Sequence, residues 1–177
     1  MKNNKTFKLA LGGICLALTL IFMFAGSIAP GIELTLFAIS SLFVAVMIIE
    51  SGIGSGILLY IAAVILGLIL IPNKVALIPY AFLFGYYGIF KYLIEKLSSG
   101  TSQLIIKIIF FAAILSIGLL GFKELLFETV DIPNFPVAVL ILGGTLFMLL
   151  YDYIYTLAIN MYLRRVKGKG LDNFKLS

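Results

Sequence analysis

The chain contains no histidine, no tryptophan and a single cysteine. The missing histidine removes the commonest metal ligand and general base, which excludes zinc proteases and those intramembrane proteases that depend on it. Cys15 lies inside an apolar run, so no disulfide framework exists. Charge is scarce too: Asp, Glu, Lys and Arg make up 12% of 177 residues, against 62% hydrophobic residues and a mean hydropathy of +1.17. That is too little polar surface to cover a soluble globule, and the chain reads as an all-α integral membrane protein. A net charge of +5 does not point to nucleic acid, because the cations stand at the ends of apolar runs, where membrane topology accounts for them.

Assembled chemistry is also lacking. The sequence holds no carboxylate pair at metal-ligand spacing, no phosphate cradle and no ATP-binding motif, so neither an enzyme nor a cofactor is expected. The alternation Ser51-Gly52-Ile53-Gly54-Ser55-Gly56 has no preceding strand and lacks the full dinucleotide spacing; it reads as a tight turn.

What remains is a set of six apolar segments at about 6–25, 32–51, 55–71, 75–97, 103–122 and 137–165, which predict one six-helix transmembrane bundle over residues 1–177. A basic start before an apolar run also begins a signal peptide, but this run is long and further spans follow it, so it is expected to stay as the first helix. Pro79 falls in the first turns of the fourth segment and should kink it or loosen its start. Between the fifth and sixth segments, Leu125, Leu126 and Phe127 suggest an amphipathic turn lying on the membrane. One side of the membrane collects Lys2, Lys5, Lys8, Lys91, Lys96, Lys107, Arg164, Arg165, Lys167, Lys169 and Lys175, and the other only Lys74 and Lys123. Both termini are therefore expected on the cytoplasmic side.

The sixth segment carries an acid in its interior, Asp152. Thr145, Asp152, Thr156 and Asn160 recur at spacings of seven, four and four and share one stripe, while Leu146, Phe147, Leu150 and Ile154 take much of the remaining surface. A carboxylate in hydrocarbon costs on the order of 3 kcal/mol, so the stripe should face protein or water and the acid should be paired or functional. By helical rise, Lys91 lies about 24 Å from the outer end of the fourth segment and Asp152 about 22 Å from that of the sixth. Their matched depth predicts a Lys91–Asp152 ion pair, with Glu95 competing for the ammonium. Lys107 is close enough to a helix end to snorkel to the interface.

Two more faces stand out. On the fourth segment Tyr80, Phe84, Tyr87 and Lys91 fall at spacings of four, three and four, either as packing and interfacial-belt residues or as a pocket wall. On the first, Thr6, Ala10, Gly13 and Ala17 form a small-residue face suited to close approach of another helix, within the chain or from a separate subunit.

Six helices, a basic N-terminus, the small-residue motif of Ala10 with Gly13-Ile14-Cys15-Leu16-Ala17, a Pro/Gly-containing loop after it and a basic C-terminus resemble the substrate-binding S components of energy-coupling factor (ECF) vitamin transporters of bacteria. The resemblance implies a multi-pass protein of the bacterial cell membrane that captures a vitamin or similar micronutrient from outside. It also implies docking on a transmembrane T component, shared with two ATPases, through Ala10, Gly13 and Ala17; glycine stands where the family usually has one of its alanines. In that reading Glu33, Asn73, Tyr80 and Tyr87 line the site for the small-molecule nutrient. No vitamin-specific motif matches. The cell-shape protein MreD has a similar size and helix count, and implies instead a membrane scaffold without a substrate.

Overall fold

A computed structural model describes residues 5–29, 31–97, 100–121 and 137–168. The expected amphipathic turn at Leu125, Leu126 and Phe127 lies outside the described residues, as do Lys2, Lys123, Lys169 and Lys175. Every regular element among the described residues is helical: α1 (Lys5–Ile28), α2 (Glu33–Ser51), α3 (Ile53–Leu70), α4 (Lys74–Pro79), a π-helical segment (Tyr80–Phe84), α5 (Tyr87–Leu97), α6 (Thr101–Gly121), α7 (Val137–Tyr162) and a terminal π turn (Leu163–Lys167). Six helical stretches are long and apolar enough to cross a membrane, the fourth of them running from Leu77 to Lys96 through the π-helical segment. The chain is a multi-pass membrane protein by this measure. Contacts divide it into two compact units, residues 1–93 and 94–177, with the dividing point inside α5.

In the first unit α1, α2 and α3 pack together. Lipid tails are as apolar as leucine, so helices in a membrane associate through close fit and internal hydrogen bonds more than through burial of apolar surface. Both devices are visible. Gly26 of α1 lies under the ring of Phe37, Gly67 of α3 receives Met23 and Leu77, and a Cβ built on Gly56 would stand 2.2 Å from Ile48 Cγ1 of α2. The fully buried Thr19 hydroxyl donates to Cys15 O of its own helix at 2.8 Å and reaches Ser40 O of α2 at 3.5 Å. Cys15, Val44, Met47, Ile48 and Leu59 form the apolar centre, flanked by Leu11, Phe43 and Tyr60.

The glycine alternation is a turn, as its sequence suggests. Gly52 alone separates α2 from α3, at a φ of 92° that disfavours residues with a Cβ, and its N–H closes α2 on Ile48 O at 2.9 Å. Pro79 ends α4, and the chain continues as a π-helix in which Gly85 N–H donates to Tyr80 O at 2.7 Å.

In the second unit α6 packs on α7, where a Cβ on Gly144 would meet Leu115 at 2.9 Å. Met148, Tyr151 and Tyr155 are the buried large side chains of α7, whereas Leu146, Phe147, Leu150 and Ile154 are exposed, as lipid-facing residues should be.

These contacts separate structural glycines from open ones. Gly56→Ala is expected to cost about 1–3 kcal/mol through overpacking against Ile48. Gly13, where an added methyl would meet nothing within 4 Å, should accept alanine within about 0.5 kcal/mol. Unfolding of each variant in detergent checks the contrast; equal effects at both positions would refute it.

Candidate functional site

Two clusters of polar side chains lie inside the apolar helices, one in each unit. In the second, the Lys107 ammonium donates to Asp152 Oδ2 at 2.8 Å and stands 3.5 Å from Glu95 Oε1. One cation on α6 thereby engages an acid on α7 and another in the last turn of α5. Side-chain exposures of 7% for Lys107, 16% for Asp152 and 35% for Glu95 rank the contacts: the Asp152 pair is the desolvated one, and Glu95 is partly open.

The stripe around Asp152 turns inward. Thr145 is buried and Thr156 half-buried, and their hydroxyls donate to Ile141 O and Asp152 O, each at 2.7 Å. The expectation that Lys107 snorkels to the interface is not met. With α6 beginning at Thr101 rather than 103, Lys107 sits about 9 Å along the helix. There it is buried, and its ammonium is held by Asp152 of the neighbouring helix. The Lys91 pairing inferred from matched depth joins residues of different units; within its own unit Asp152 is bound by Lys107. Lys91 is itself buried. A sequence signal for Lys107 existed: it is the only ion among the residues of α6.

In the first unit the π-helical segment gathers aromatic side chains. A π turn widens the helix and disturbs its regular hydrogen bonds, and such turns concentrate at functional sites. Here the Tyr60 hydroxyl of α3 donates to Ala81 O at 2.9 Å, while its ring meets that of Tyr86 edge-on at 6.3 Å. Gly85 admits this packing, since a Cβ there would stand 2.8 Å from the Tyr60 ring and 2.9 Å from that of Tyr80. Tyr80, Phe84, Tyr87 and Lys91 are all buried, so this face of the fourth span is turned away from lipid. The Tyr80 hydroxyl has no hydrogen-bond partner, a condition shared among the described buried side-chain atoms only with Ser51 Oγ. Tyr60 escaped the sequence reading, although it is the one aromatic residue of α3.

The remaining candidate residues have local roles. Glu33 Oε2 accepts from Gly31 N–H at 2.8 Å, holding the turn before α2. Asn73 Oδ1 accepts from Val75 N–H at 3.1 Å at the start of α4, and the Lys74 ammonium caps Leu68 O and Ile71 O at the end of α3. Ala10, Gly13 and Ala17 are exposed along α1, whereas Gly12 faces Met47.

The ion cluster sets a quantitative expectation. Asp152→Leu leaves the buried ammonium with only the longer, partly open Glu95 contact and should destabilise by up to about 3 kcal/mol, and adding Lys107→Met should restore much of the loss. Glu95→Gln, at the open end, should cost less than about 1 kcal/mol. A double-mutant cycle on unfolding measures the coupling; a value near zero for Lys107 and Asp152 would show that the contact contributes nothing. Set beside known proteins, the chain matches no family model, no curated protein and no solved structure.

Proposed function

We propose that the chain is the substrate-binding membrane subunit of an ECF-type importer in a bacterial cell membrane, with both termini cytoplasmic, taking up a vitamin or similar micronutrient. The observation that carries this reading is the Tyr80 hydroxyl: fully buried, without a partner, and set in a π-helical segment lined by Tyr60 and Tyr86. An unpaired buried hydroxyl costs about 1–3 kcal/mol. A scaffold that only packs would be served as well by phenylalanine, whereas a binding subunit uses such a group to hold a polar atom of its ligand. Aromatic walls with few placed polar groups are the usual composition of small-molecule sites. The exposed Ala10, Gly13 and Ala17 face fits the second requirement of the reading, a surface on which a T component and its ATPases dock.

Binding of a panel of vitamins to the purified protein, read by thermal shift, tests the pocket. Tyr80→Phe should leave the ligand-free protein as stable or more stable and weaken the ligand by roughly three- to tenfold, the worth of one hydrogen bond. No ligand for the wild type, or ligand retained by both Tyr80→Ala and Tyr87→Ala as by the wild type, would move the weight to a scaffold similar to MreD. Gly13→Leu is expected to abolish assembly with the T component while the isolated subunit remains folded. Intact complex and uptake in that variant would remove the docking role.

A further inference from the structure

The end of α7 carries a feature that neither substrate capture nor subunit docking uses. Ile154, Leu157 and Met161 are exposed at spacings of three and four, and Arg165 follows four residues later, with Arg164 beside it. Apolar exposure thus leads straight to a pair of exposed guanidinium groups. Leu163, fully buried, anchors the turn, and Gly168 closes it in the left-handed conformation at φ 61°, its N–H donating to Leu163 O. From Ile154 to Arg165 the rise is about 16 Å. The hydrocarbon of one leaflet is about 15 Å deep.

We infer that this strip binds a single anionic phospholipid, with its acyl chain along Ile154, Leu157 and Met161 and its headgroup phosphate held by Arg164 and Arg165. Charge selects the lipid class. No acidic residue lies between Asp152 and Arg165 in the sequence, and neither arginine has an ion-pair partner among the described residues. A guanidinium presents a planar fork that matches phosphate oxygens, and each cation near the surface contributes about fivefold in affinity for an anionic membrane. A zwitterionic headgroup carries its own ammonium and gains little. The strip's length distinguishes a lipid from free phosphate, which would need the arginines alone.

The test uses the full chain in detergent with phosphatidylglycerol or phosphatidylcholine added, and bound lipid counted by native mass spectrometry. The wild type should retain phosphatidylglycerol in preference to phosphatidylcholine, and millimolar inorganic phosphate should not displace it. Arg164→Gln with Arg165→Gln should weaken phosphatidylglycerol roughly twenty-five-fold and leave phosphatidylcholine unchanged. The single change Arg165→Gln should give a loss of about fivefold, which keeps the test decisive if the double variant folds poorly. Phosphatidylglycerol preference undiminished in both variants would overturn the site. Displacement by inorganic phosphate would overturn the lipid assignment and leave a small-anion site in its place.

Discussion

Hydrocarbon supplies no hydrogen bonds, and that constraint accounts for most of the polar geometry in this chain. A hydroxyl on a lipid-embedded helix must find an acceptor within the protein, and the nearest is a carbonyl one turn back. Ser40, Ser41, Ser116, Thr145 and Thr156 all use it. The same rule governs the break in the fourth span. Proline removes one donor at position 79, the helix widens into a π turn, and a tyrosine from α3 supplies a hydroxyl to Ala81 O. Against so consistent a pattern, the Tyr80 hydroxyl and Ser51 Oγ stand out among the described buried side-chain atoms as lacking a hydrogen-bond partner.

The ion cluster follows from the same physics at higher stakes. Three helical stretches of the second unit have little apolar reason to prefer each other over lipid. An ammonium between two carboxylates gives them one, because separating the groups would leave charge in a medium that does not solvate it. The partners are unequal. Asp152 is the more enclosed and Glu95 the more open, so the cluster runs from a desolvated pair to a contact that water can share.

Much of this organisation could be read from the residues. Six apolar runs became six spans, the glycine alternation became a turn, and the Asp152 stripe faces inward because Leu146, Phe147, Leu150 and Ile154 left it no other side. What spacing along one helix does not carry is the partner offered by another. Lys107 lies near the start of an apolar segment, where an interfacial cation is expected, and α6 begins two residues earlier and brings its ammonium to Asp152 of α7. Tyr60 was invisible for a different reason. Its role depends on a carbonyl twenty-one residues away in a helix whose π turn no periodicity announces. Burial of Tyr80 and Tyr87 likewise depends on what packs over them, which spacing along a single helix does not contain.

The single-residue link at Gly52 also bears on how the chain sits in the bilayer. With no loop between them, α2 and α3 share one end at one depth. As membrane spans they therefore run in opposite directions, and a shift of either along the membrane normal carries the linked end of the other with it.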